Sequence, residues 1–347
     1  MHARKEAERC QIERAVHFPS DPLHGPTGLC PRLALADPIM SSSLPPARLY
    51  LVGCLFVVLG GLVLSLGVLC VRGATASDAW QYLFWRALAF ALVLSLVAAQ
   101  RHRISPLMQL RQLGGFAWVS VLAMVASQIC FIVAIKLGNT AEVFFLMSLA
   151  PLMAAVLARP LLGERVGALS TLAIVVALGG VGVMSGLSLK FDGLDSSLWE
   201  SGWLARCLAL GTAFSFALYL LATRGAQPQD LDAALVAVGL VTVLISAIVL
   251  LWLGVPLAAS LRDTALALLH GGGILAIGLV LFARGSRKVP GVTLAVLAQA
   301  ETVAAPIWTY LVFNETTTMS VVAGGALILV AVMMQALGGA WPTAKRA

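Results

Sequence analysis

The sequence predicts an all-α polytopic membrane protein with ten transmembrane helices, arranged as two inverted five-helix repeats. Three observations lead there. Of the 347 residues, 60% are hydrophobic and only 11% charged, whereas a soluble domain carries about 25% charged residues. With a mean hydropathy of +0.94, the apolar surface exceeds what one soluble core hides. The apolar residues also form long runs without polar alternation, which excludes a β-barrel, and the second half repeats parts of the first at a nearly constant offset.

Residues 1–48 stand apart from the rest. Five basic residues precede Arg48, prolines recur, and there is no apolar span. This stretch reads as a polar extension, disordered or upstream of the true start at Met40, with no apolar face to pack on a bundle. Ten apolar runs follow, at about 50–71, 82–99, 115–135, 140–158, 167–187, 203–223, 233–254, 265–283, 290–312 and 319–339. Each is long enough, or nearly so, to cross about 30 Å of hydrocarbon at about 1.5 Å per residue. They divide into repeat 1 (49–187), a linker (188–201), repeat 2 (202–340) and a short tail (341–347). Ala74-Thr75-Ala76 has the look of a leader-cleavage site, but the run before it is about 22 residues long. Leader cores are about 7–15, so span 1 is expected to stay.

Lys and Arg set the orientation. With the N-terminus inside, the inner loops from Arg48 onward carry twelve basic residues, and the outer loops carry four: Arg72, Lys136, Lys190 and Arg262. Both termini are therefore expected in the cytoplasm, in a cytoplasmic (plasma) membrane. The internal repeat agrees with an odd number of spans per half. Cys70-Val71-Arg72-Gly73-Ala74 matches Ala222-Thr223-Arg224-Gly225-Ala226 at an offset of 152, and Lys136 through Glu164 matches Arg287 through Glu315 at 151. Five spans per repeat force the second repeat to enter the membrane from the opposite side, as in many secondary transporters.

Four formal charges fall inside spans: Arg86, Glu142, Arg206 and Glu301. A carboxylate near the bilayer centre costs about 2.5–3.5 kcal/mol on insertion scales, so it faces a partner, a wet cavity or a ligand. Glu301 reads either as half of a buried ion pair or as a group that carries a proton or binds a cationic group. Arg86 either snorkels to the headgroups or faces the cavity, where it holds an anionic group or pairs with Glu301. Glu142 caps span 4 or gates its outer end, and Arg206 anchors at the interface. Gln128, Ser148, Tyr219 and Gln299 lie at similar depth, and each is either a ligand contact or a helix–helix hydrogen bond. Gly271-Gly272-Gly273 in span 8 marks a hinge or unwound segment, and His270 beside it is a helix-bonded imidazole or a titrating switch. Gly53, Gly60 and Gly67 form a small-residue stripe on span 1, and Gly182 and Gly186 form a GxxxG on span 5. The six cysteines show no CxxC or Cys/His pattern, so no metal or cofactor is expected. Hydrolase, zinc-protease and Walker motifs are missing as well, which counts against an enzyme.

Several motifs together resemble the EamA-type proteins of the drug/metabolite transporter superfamily, over about residues 49–340. Arg86-Ala87-Leu88 resembles the family's Arg-Phe-x-x-Ala. Asn139-Thr140-Ala141-Glu142 through Leu149-Ala150-Pro151-Leu152 to Leu162-Gly163-Glu164 resembles its span 4 and closing Leu-Gly-Glu. In repeat 2, Glu301-Thr302 stands where the family has Glu-Pro, and Asn314-Glu315 where it has Gly-Glu. Pro151 keeps a kink that Thr302 loses, and Pro306 is placed to shift the bend by about one turn. The resemblance implies a ten-helix secondary transporter, often an exporter, of a small polar or amphipathic metabolite by alternating access. The expected partners are a small-molecule substrate, a coupling proton and the lipid bilayer. A homodimer is compatible with the sequence, and the net charge of +7 does not call for a nucleic acid. The rival readings are a membrane enzyme acting on a lipid-linked substrate and a non-transporting receptor or assembly factor.

Overall fold

A computed structural model of the chain describes residues 47–102, 113–162, 167–184, 202–225 and 230–340. Most of the polar extension, the linker, the tail and Glu164 lie outside these residues. So do several loop charges that entered the orientation count. All regular elements among the described residues are helical.

The helices are numbered here by span. They are α1 (Ala47–Ser65 and Gly67–Gly73), α2 (Ala79–His102), α3 (Gly115–Leu137), α4 (Thr140–Met147 and Ala150–Leu162) and α5 (Ala168–Met184). Then follow α6 (Trp203–Gly225), α7 (Asp230–Leu253), α8 (Leu261–Ser286 with a π-turn at Leu269–Ile274), α9 (Gly291–Leu297 and Ala300–Phe313) and α10 (Met319–Ala340). Among the described residues, nine are long and apolar enough to cross a membrane. α5, at 17 residues, is the shorter one, and the expected last turn of its span, residues 185–187, lies outside the described residues. Apolar side chains lie exposed along the outer faces, such as Leu172, Val175 and Leu178 on α5 and Leu244, Ile248 and Leu251 on α7. A stripe of that kind belongs against lipid.

The closest pairings are α3 with α6, α5 with α10, α2 with α7, and α1 with α8. α6 also packs on α4, α9 on α1, α7 on α3 and α8 on α2, while α4 meets α9. Eight helices therefore close into a ring in the order α4, α9, α1, α8, α2, α7, α3, α6, and α5 and α10 pair outside it. Exchanging α1–α5 with α6–α10 maps this set of pairings onto itself.

Two helices break at matching places. In α4, Leu149 N–H bonds Leu146 O at 3.2 Å. In α9, Gln299 N–H bonds Val296 O at 3.1 Å. Both are three-residue bonds that tighten the turn, and they lie 150 residues apart. Pro151 accounts for the first, since it lacks the N–H that would bond one turn back. The second forms without an adjacent proline. Pro306 instead sits inside the helical stretch Ala300–Phe313, so the bend has not moved to it.

Glycine spacing sets the α1–α8 contact. A Cβ on Gly60 would lie 2.9 Å from Phe282 N, and one on Gly285 would lie 2.7 Å from Gly53 O. Small residues thus let the two backbones touch. On α5 the expectation fails at Gly182, while Gly186 lies outside the described residues. Gly182 faces open space, and Gly180 packs instead, against Gly324 of α10.

Candidate functional site

Ion pairs among the described residues all sit at one end of the bundle, where α1 ends, α4 and α8 begin, and α9 gives way to α10. All of them join the first five helices to the last five. Arg72 Nη2 meets Glu315 Oε1 at 2.7 Å. The same carboxylate accepts from Thr140 N at 2.7 Å and Thr140 Oγ1 at 3.0 Å, while Arg72 also donates to Gly138 O. Arg206 grips Glu142 with two bonds, Nε to Oε2 at 3.0 Å and Nη2 to Oε1 at 3.1 Å. Asp263 Oδ2 accepts from Ala76 N at 2.9 Å and Ser77 N at 2.6 Å. Gln81 Nε2 donates to Pro256 O at 2.8 Å.

Local chemistry builds this latch. Asn139 caps α4, its side chain accepting from Ala141 N at 2.9 Å. That frees Glu142 from capping and leaves it for Arg206, so Arg206 is not merely an interfacial anchor. Asn314 takes a left-handed turn at φ 52°, which glycine enters freely and asparagine tolerates. That turn presents Glu315 to Arg72. Arg72, Glu315 and Asp263 did not stand out as site residues in the sequence. Arg72 and Glu315 do fall in the two repeated motifs, and that is the one signal that points to them.

Deeper in the bundle, Arg86 is 4% exposed. Its Nη1 donates to Gln128 Oε1 at 2.8 Å, joining α2 to α3. One turn outward on α2, the Tyr82 hydroxyl meets His270 Nδ1 at 2.8 Å. His270 lies at the π-turn, with its imidazole over Gly67. A Cβ on Gly271 would fall on the Arg86 carbonyl. The three glycines therefore form a continuous π-turn that lets α8 touch the α2 backbone, and the helix does not unwind there.

Glu301 lies just past the α9 break. A Cβ on Gly61 of α1 would lie 3.4 Å from its backbone nitrogen. No hydrogen bond or ion pair reaches its carboxylate among the described residues, and it is not paired with Arg86. Gln299 does not accompany it. With Ala300, Val303, Val58, Leu329 and Met333 it lines an apolar crevice of about 280 Å³ between α1, α9 and α10. Ser148 sits at the α4 break and donates to Phe145 O at 2.6 Å within its own helix. Tyr219 on α6 stacks on Phe216, with ring centroids 5.5 Å apart. Of the six expected contact residues, the structure thus bonds Arg86 to Gln128, and it places Ser148 and Gln299 at the two breaks. No cluster of three or more His, Cys, Asp or Glu that would hold a metal occurs among the described residues.

Residues 51–186 match the profile of the EamA-like transporter family. No curated protein matches the chain. Fifteen chains of known structure do. One of these, a crystal structure 17% identical, covers 84% of this chain and 98% of its own, with a TM-score of 0.55. At that identity the likeness speaks for the fold alone.

Proposed function

We propose, from the premise that the chain carries an EamA-like transporter family domain, that it is a secondary transporter of a small polar or amphipathic metabolite. It works by alternating access between two inverted five-helix halves and exports across the cytoplasmic membrane. The observation that carries this reading is the one-ended latch. Among the described residues, the ion pairs Arg72–Glu315 and Arg206–Glu142 bridge the two halves at one end, as in a two-state element held in one state. The exchange symmetry of the helix pairings supports inverted repeats. In this reading the latched end is the outer one, with both termini cytoplasmic. The breaks at Ser148–Leu149 and Ala298–Gln299 are where α4 and α9 bend between states. Glu301, without a partner at membrane depth among the described residues, faces the substrate path and carries a coupling proton or meets the substrate. Counterflow in proteoliposomes tests the proposal. Purified protein is expected to exchange at least one labelled small metabolite above protein-free vesicles, and Glu301→Gln is expected to slow it. No exchange across a broad metabolite set would overturn the reading.

A further inference from the structure

We infer that the transported molecule bears a carboxylate and that Arg86, steadied by Gln128, receives it; this rests on the transporter reading above. Arg86 lies seven residues inward from Ala79, about 10 Å along α2, and is 4% exposed. A side chain so enclosed does not snorkel to the headgroups. The ion pairs among the described residues belong to other arginines, Arg72 and Arg206, and Glu301 does not reach it. Among the described residues its side chain donates to a neutral amide, Gln128 Oε1 at 2.8 Å.

Four buried side-chain atoms lack a partner among the described residues: Ser77 Oγ, Ser246 Oγ, Gln335 Oε1 and Arg86 Nε. The arginine's is the one on an ionised group. A buried cation without a counter-charge is strongly disfavoured unless an anion arrives to compensate it. The guanidinium edge offers parallel N–H donors that match the two oxygens of a carboxylate. The backbone beneath it is fixed, because Gly271 packs against the Arg86 carbonyl. One turn away on α2, the Tyr82 hydroxyl is already engaged with His270 Nδ1 at 2.8 Å. The same charge would also suit a small inorganic anion, so the test must separate the two sources.

Full-length protein in detergent is titrated in chloride-free sulfonate buffer with acetate, benzoate and succinate, each against its amide, and separately with chloride. The expected result is a rise in Tm that grows with at least one carboxylate and is absent with its amide. It falls at least tenfold in apparent affinity in Arg86→Lys and vanishes in Arg86→Gln. Gln128→Ala, which leaves the charge, weakens but does not abolish it, and covers the case in which Arg86 variants do not fold. Equal shifts from carboxylate and amide, no shift from any carboxylate, or a shift retained in Arg86→Gln would overturn the inference. An equal response to chloride would assign an inorganic anion and overturn it as well. Counterflow of neutral solutes with no carboxylate effect leaves the transporter reading standing and sinks this one alone.

Discussion

Glu315→Gln should tip the protein away from its latched state. The Glu315 carboxylate takes bonds from Arg72 at 2.7 Å and from Thr140 N and Oγ1 at 2.7 and 3.0 Å. Its side chain is 17% exposed and that of Arg72 is 23% exposed. A buried charge-assisted hydrogen bond contributes about 1.5–3 kcal/mol, while a fully exposed ion pair contributes about 0–1. The amide keeps the shape and one acceptor, so a loss of about 2 kcal/mol from the latched state is reasonable for this partly covered cluster. At about 1.4 kcal/mol per factor of ten, the open-to-latched ratio should rise about 30-fold. A ratio near 1:100 would become about 1:3. Spin labels on exposed Thr75 and Thr318 read this as a longer distance population in pulsed dipolar spectroscopy. An unchanged distance distribution in Glu315→Gln, with the protein folded, would refute the reasoning.

Other outcomes follow from the same geometry. Glu301→Gln is expected to leave Tm near wild type while changing transport or its pH profile; normal transport with an unchanged profile would make the carboxylate structural. Because Arg86 and Glu301 do not touch, the changes in unfolding free energy of Arg86→Gln and Glu301→Gln should add within about 0.5 kcal/mol in the double variant, and a larger coupling would contradict the separation. Gly271→Ala drives a methyl into the Arg86 carbonyl and should cost about 1–3 kcal/mol or more. Gly182→Ala meets open space and should stabilise by up to about 1 kcal/mol, a contrast that thermal melts resolve. In intact cells, Thr318→Cys should label with an impermeant maleimide and Arg287→Cys should not.

The helical architecture was legible because hydropathy is a local property. Each span announces itself within about 20 residues, and the glycine stripe on α1 marked a close-packing face, while its partner α8 came only from the structure. The α4 break was legible for the same reason, through Pro151. What escaped depends on partners far apart in sequence. Arg72 and Glu315 are 243 residues apart, and Arg206 and Glu142 are 64 apart, so each looked like an isolated charge with a local role. Gln299 and Glu301 were grouped by depth, but residues two apart on a helix point about 200° apart, and only one can face a given side. The α9 break had no proline to mark it. The family match ends at residue 186, and the second repeat is the half in which Thr302 and Asn314 depart from the pattern. The left-handed turn at Asn314 explains one of those departures.

The central claim is that opening and closing of the latched end carries solute through the bundle. It is tested most directly by locking that end. With Cys10, Cys30, Cys54, Cys70, Cys130 and Cys207 replaced, Arg72→Cys and Glu315→Cys are bridged by a reducible bifunctional thiol reagent in proteoliposomes loaded with a defined metabolite mixture. Efflux is then followed by mass spectrometry. The account predicts that unbridged protein releases one or a few solutes, that bridging stops the release, and that reductant restores it. Efflux that continues at the same rate through bridged protein would contradict it.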